Sequence, residues 1–227
     1  MTFVGREKEV KIIIRALERD DNIIVKGIYG IGRTALISHV EECTTKQFRF
    51  LFTDFSKTPG QVCHELLSDL FPQKKYRKED FEHHRYREMR FRIANRALPD
   101  GRRHVIVLDN IGRLTHQRLT LIRYLGWDKR FRFIAIVESY VSDAELLLLR
   151  AELMPAQVVT FSYLTARNTG ELLRRLAEHH RLEWTETQIH HLAEASRGYP
   201  LGLRETLDRE LKRHGKSSHQ TSQEERA

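Results

Sequence analysis

The residues able to do chemistry lie in two short stretches. The first is Gly27-Ile28-Tyr29-Gly30-Ile31-Gly32-Arg33-Thr34. Its spacing is that of a phosphate-binding loop, G-x-x-x-x-G-K-[ST], with Arg33 where lysine is expected. Three glycines let the backbone bend round a phosphate, and the N–H groups of the following turn supply partial positive charge. Thr34 offers a hydroxyl to Mg²⁺, and Arg33 keeps the positive charge on a longer, forked side chain. The second stretch is Val105-Ile106-Val107-Leu108-Asp109-Asn110. An acid ending an apolar run can hold the water shell of a nucleotide-bound Mg²⁺.

For these stretches to meet, the chain must place them at one edge of a sheet. Ile23 to Lys26 is a short β-prone run leading into the glycine loop, and the loop hands over to a helix ending near Glu42. Further strands are predicted at Phe48–Phe55, His104–Asn110, Phe131–Val137 and Val158–Phe161. Helices are predicted at Glu7–Leu17, Gln61–Leu70, Glu79–Ala97, Arg118–Leu125 and Asp143–Leu153. Strands alternating with helices imply a parallel sheet covered on both faces, with ligands at the carboxyl ends of its strands. The loop, Asp109 and Ser139 all fall at such ends. From Thr165 only helices are expected: Thr169–Leu182, Thr185–Ser196 with Gln188 completing a capping box, and Leu201–Arg213. The domains read as an α/β core over 1–164, a helical lid over 165–213 and a disordered polar tail over 214–227.

Composition narrows the function classes. The 227 residues are 40% hydrophobic and carry a formal charge of +8. No apolar run is long enough to span a bilayer, and the N-terminus has no signal-peptide pattern, so a cytoplasmic protein is expected. Cys43 and Cys63 read as reduced thiols. The adjacent pairs His83-His84, His179-His180 and His190-His191 point apart on a helix and form no metal site. Much of the charge excess lies between Lys74 and Arg103, where eleven Lys/Arg face five acids. That segment is a candidate track for the phosphates of non-specific DNA, with Tyr76, Tyr86 and Phe91 available for stacking. The alternative is a solvated face whose aromatics are core.

With these motifs in place, the sequence resembles the AAA+ and STAND-type P-loop ATPases, archaeal and origin-recognition ATPases among them. Phe3-Val4-Gly5-Arg6-Glu7 is similar to their V-G-R-E box. Gly27–Thr34 resembles Walker A, Val105–Asp109 resembles Walker B, and Gly198-Tyr199-Pro200-Leu201 resembles the G-x-P-L motif of the helical lid. The resemblance covers residues 2–213. It implies a three-layer P-loop NTPase sandwich with a five-stranded parallel sheet, followed by a small all-helical lid. It also implies ATP or ADP with Mg²⁺ as ligands. Val4 and Pro200 would flank the adenine, and Gly5 would belong to the same cofactor site. Gly27, Gly30, Ile31, Gly32, Arg33, Thr34 and Ala35 would surround the phosphates, and Thr34 and Asp109 would serve the metal. Ser139 would stand at the sensor 1 position and Arg204 at sensor 2. Arg123, Lys129 and Arg130 precede the Phe131 strand, where arginine fingers commonly lie.

Two departures bear on activity. Arg33 replaces the lysine that spans the β- and γ-phosphates, and Asn110 replaces the second acid that activates water in many relatives. Asparagine is no general base. Nucleotide binding with slow or absent hydrolysis is therefore expected, in a nucleotide-dependent assembly switch that forms a homo-oligomer or engages a partner protein. Two alternatives stay open: a DNA-binding oligomeric ATPase regulator, like the transposition ATPases of the TnsC and MuB type, and a pseudo-ATPase serving as a protein-interaction subunit.

Overall fold

The computed structural model describes residues 3–72, 86–98 and 100–224, with the backbone only for 213–224. Five strands form one parallel sheet: β1 (Asn22–Lys26), β2 (Phe48–Asp54), β3 (Arg103–Ile111), β4 (Phe131–Val137) and β5 (Ala156–Thr160), in the order β2-β3-β4-β1-β5. The central strands are continuous apolar runs because both their faces are covered. Residues 104–108 of β3 are all buried, as are Ile23, Ile24 and Val25 of β1. At the edge, β2 intersperses half-buried Arg49, Phe52 and Asp54 among buried residues.

The helices around the sheet are α1 (Glu7–Glu18), α2 (Arg33–Thr44), α3 (Pro59–Leu70), α4 (Tyr86–Asn95), α5 (His116–Gly126) and α6 (Asp143–Glu152). Their starts are written in the sequence. Thr58 and Ser142 close capping boxes with Gln61 and Glu145, and Thr115 caps α5. Phe55, Leu66, Ile93, Ile122, Phe131 and Phe133 belong to the core of this layer.

The remaining helices are α7 (Ala166–His180), α8 (Glu186–Ser196) and α9 (Pro200–Glu224). Thr185 and Gln188 form the expected capping box. Leu173, Ile189, Ala193 and Leu203 make a small core of their own.

The chain divides into two compact units. One holds Lys8–Tyr29 and Arg33–Phe161; the other holds Met1–Glu7, Gly30–Gly32 and Ser162–Ala227. Within the helical unit, buried Arg6 donates to the Ser162 carbonyl at 2.5 Å. Gly198 has φ +76, and a Cβ there would sit 2.1 Å from the Leu164 carbonyl oxygen, so only glycine fits the turn before Pro200.

Most observed boundaries fall within two residues of expectation, and three differences stand out. The basic helix is described from Tyr86 to Asn95; residues 79–85, with Tyr76, Lys74, Lys75, Arg77 and Lys78, lie outside the described residues. Helix α7 begins at Ala166 behind the N-cap Thr165, three residues before the expected start, because the Thr165 hydroxyl accepts from the Asn168 N–H. Helix α9 continues to Glu224, past the expected end at Arg213 and into the stretch read as a disordered tail. Among the described residues no helix is long and apolar enough to cross a membrane.

One buried polar group in the sheet has a testable consequence. His104 on β3 is 1% exposed, and neither ring nitrogen has a hydrogen-bond partner. Its Nε2 stands 3.6 Å from Asp100 Oδ1, and Phe131 meets the ring edge-on. Burial pushes its pKa down; Asp100 and the Arg102 backbone oppose the shift, while the Arg49 and Arg102 charges reinforce it. The unfolded chain therefore takes up this proton near pH 6.5, and the folded protein does so only at lower pH. Stability contributed by neutral His104 is complete above about pH 6.5 and falls as pH drops below it. His104→Leu should flatten this part of the acid limb, read as urea midpoints between pH 5 and 8. An unchanged limb would show that His104 is not its source.

Candidate nucleotide site

The carboxyl ends of the strands bring the chemistry-bearing residues of the sheet unit together. Gly32 has φ +90, which brings the chain from the loop into α2 at Arg33. Thr34, in the first turn, donates from Oγ1 to Asp109 Oδ2 at 2.8 Å. Two residues seventy-five positions apart thus present hard oxygen atoms side by side, the donor type Mg²⁺ prefers. Asp109 Oδ1 accepts from the Asn110 N–H at 2.8 Å. Thr34, Asp109 and Asn110 line a cavity of about 500 Å³ with residues from β2 and α3. The oxygen set fits a Mg²⁺ ion sharing its shell with phosphate and water.

Arg33 behaves differently from a phosphate-loop lysine. Its side chain is 6% exposed. The guanidinium donates to the Val137 carbonyl at the end of β4 and to Glu138 Oε1 at 2.6 Å. Glu138 is itself only 11% exposed. This is a nearly buried ion pair, anchored on a backbone carbonyl, under the end of the sheet. The planar fork permits two directed bonds where an ammonium would supply a point charge.

Asn110 also has a structural reason. Its φ is +58, a left-handed conformation that asparagine adopts more readily than most residues. It lies where the β3–β4 register shifts between Leu108 and Ile111. Its side-chain amide donates to Asp54 Oδ1 at 3.3 Å. Asp54 ends β2 and is the register partner of Asp109. The Ser56 hydroxyl and N–H, then Asn110 and Lys57, hold the Asp54 carboxyl below its ordinary value against the effect of burial. Nearby, Lys57 pairs with Glu65, which also accepts from Thr53 Oγ1 at 2.9 Å. Arg118 ties the loops after β2 and β3 together, donating to Ser56 and Lys57 carbonyls at 2.6 and 3.2 Å and to the Arg113 carbonyl at 2.7 Å.

A family described as the AAA domain matches residues 15–144, more than half of the sequence. The chain belongs to the AAA domain family. No curated protein sequence matches it. Solved structures share the fold at low identity. Aeropyrum pernix ORC1 in complex with DNA is 15% identical with TM-score 0.54, over 78% of this chain and 50% of that one. Thermotoga maritima RuvB, a Holliday junction branch migration motor, is 18% identical with TM-score 0.57, over 89% and 60%. The S. cerevisiae Hsp104–ADP complex is 19% identical with TM-score 0.62, over 99% and 33%. This AAA domain therefore spans less than two thirds of each of those chains.

The sequence-predicted residues divide between the two units. Gly27, Arg33, Thr34, Ala35, Asp109 and Ser139 lie in the sheet unit. Val4, Gly5, Gly30, Ile31, Gly32, Pro200 and Arg204 belong to the helical one, where Arg204 is exposed. Thr34 and Asp109 are in contact. Ser139 is exposed and lines a second cavity of about 650 Å³ with Tyr29, Arg113, Glu138 and Tyr140. Arg123 is tied to Glu152, and Arg130 to the Ala94 and Arg96 carbonyls. Sequence reasoning missed Glu138 and Asp54. Each ends or immediately follows a predicted strand, and that position was the available signal.

Two measurements test these assignments. Arg33→Ala should cost about 3 kcal/mol in urea unfolding, because it strands a poorly solvated carboxylate. Arg33→Ala with Glu138→Ala should recover part of that loss; strict additivity would show that the pair is not coupled. At Asn110, substitution by Glu should cost about 1 kcal/mol through left-handed strain, whereas Gly should be tolerated. Equal urea midpoints for the Glu and Gly variants would refute the backbone explanation.

Proposed function

We propose that this AAA domain binds ATP or ADP with Mg²⁺ and works as a nucleotide-dependent assembly switch with slow hydrolysis. The observation that carries this reading is the Thr34–Asp109 contact beside the glycine loop, with Arg33 held by Glu138. Thr34 and Asp109 would hold the metal, which would neutralise phosphate charge. Arg33 can reach β- and γ-phosphates only by sharing or leaving Glu138. That competition weakens catalytic electrostatics more than it weakens binding by the loop's N–H groups, and Asn110 offers no base. Such a site favours occupancy over turnover. A nucleotide that remains bound can bias assembly with further copies or a partner protein.

The DNA-regulator alternative draws on the basic segment and on the DNA named for ORC1. In the described part of that segment, much of the charge is engaged internally. Arg90 stacks on Tyr86 and Tyr124, Arg96 lies over Phe71, Arg92 pairs with Glu88, and Arg102 pairs with Asp100. Exposed Arg87 and Phe91 remain at the surface. These engagements favour the switch over a phosphate track.

The test is to purify the full chain and measure retained nucleotide, hydrolysis rate and oligomer size, with and without duplex DNA. Bound nucleotide, slow turnover and a nucleotide-dependent change in size are expected. No retained nucleotide and no thermal shift with Mg-ATP would sink the proposal. Arg33→Lys should raise hydrolysis several-fold by freeing a compact cation for the phosphates. Brisk turnover by the unmodified protein would refute the role given to Arg33 and Asn110.

A further inference from the structure

Three carboxylates other than Asp109 line the 500 Å³ cavity beside Thr34: Asp54, Glu65 and Asp69. They are not equivalent. Glu65 accepts on both oxygens, from Thr53 and from Lys57. Asp69 belongs to α3. Asp54 ends β2, in register with Asp109 on the neighbouring strand. Its Oδ1 accepts from the Ser56 N–H at 3.0 Å and from the Asn110 amide at 3.3 Å. The Ser56 hydroxyl also bonds this carboxyl, which keeps lone pairs for a further donor, whereas Asp109 accepts from Thr34 on one oxygen and from the Asn110 N–H on the other. Asn110 therefore turns its amide to an acid on the next strand and fixes that acid's orientation.

We propose that Asp54 orients the attacking water, supplying from β2 the carboxylate that β3 lacks after Asp109. This rests on the nucleotide-binding reading above. In the step, the water oxygen bonds to the γ-phosphorus as the bond from that phosphorus to the β,γ-bridging oxygen breaks. The electron pair of the broken bond leaves on the nucleoside diphosphate. One proton of the water passes to the released phosphate, and Asp54 holds the water by accepting its other O–H. No redox change occurs and no further reactant is needed. Asparagine in place of Asp54 keeps an Oδ1 acceptor for the Ser56 N–H and Asn110 but replaces the second carboxylate oxygen with an amide donor.

The experiment compares the full-length protein with Asp54→Asn and, as a charge control in the same cavity, Asp69→Asn. Hydrolysis of Mg-ATP should fall at least about tenfold in Asp54→Asn, with the Kd of a fluorescent ATP analogue within threefold of the unmodified protein. Asp69→Asn should keep the unmodified rate. A second readout avoids turnover: thermal shift with Mg²⁺, ADP and aluminium fluoride, a stand-in for the transferring phosphoryl group. Asp54→Asn should lose the extra shift given by aluminium fluoride while keeping the shift given by ADP. Equal rates in Asp54→Asn and the unmodified protein overturn the proposal, and so does an equal fall in Asp69→Asn. Nucleotide binding with no turnover by the unmodified protein overturns the role of Asp54 alone. Absence of nucleotide binding overturns the nucleotide site itself.

Discussion

A guanidinium nearly excluded from water constrains this site more than any other group. Removing Arg33 and Glu138 from solvent carries a desolvation penalty of several kcal/mol per ion, and attraction offsets it only where geometry is good. Here one N–H meets a carboxylate and another meets the Val137 carbonyl. The pair joins the start of α2 to the end of β4, and β4 lies between β1 and β3. The helix carrying Thr34 is thus pinned to the strand beside the one carrying Asp109. A lysine at position 33 would put a compact ammonium on a shorter stem in place of this planar fork. In this geometry Arg33 acts as a brace between α2 and the end of β4.

Much of this was legible in the sequence because it depends on local rules. Five strands, their order along the chain and most of the helix starts follow from apolar runs, glycine turns and capping residues such as Thr58, Ser142 and Thr185. Asp109 was legible because an acid after four apolar residues is a local pattern. What was not legible depends on neighbours distant in sequence. The destination of the Arg33 side chain is fixed by Glu138, over a hundred positions away. Asp54 acquires meaning only when β2 is laid against β3 in a register that sets it beside Asp109. A lone carboxylate at a strand end reads as turn chemistry until that pairing is known.

Asn110 shows how one position answers to two constraints. The register shift between β3 and β4 requires a left-handed residue, and most side chains resist that conformation. Asparagine accepts it and also points an amide at Asp54. Read only as a lost acid, Asn110 implies a dead site. Read with its backbone and its partner, it links Asp109 on β3 to a second carboxylate, Asp54, on β2. The acids of the site are then spread over adjacent strands, which a parallel sheet permits because all its carboxyl ends share one edge.

The fold does not choose between DNA and protein as the object of this AAA domain. It is shared with an ORC1 solved in complex with DNA, with the branch migration motor RuvB and with Hsp104. Net charge does not choose either, since a formal +8 describes the whole chain and not a surface. What distinguishes the outcomes is where the cations are engaged. A phosphate track needs guanidinium groups that can exchange water and counterions for phosphate oxygen. Arg90 over Tyr86 and Tyr124, Arg96 over Phe71 and Arg103 over Phe48 are occupied by aromatic faces that also help close the core. Transferring those cations to phosphate would uncover the rings beneath them. In the described part of the segment the basic residues therefore act first as packing for α4 and the sheet edge, and the excess charge counted in the sequence overstates the charge available to a polyanion.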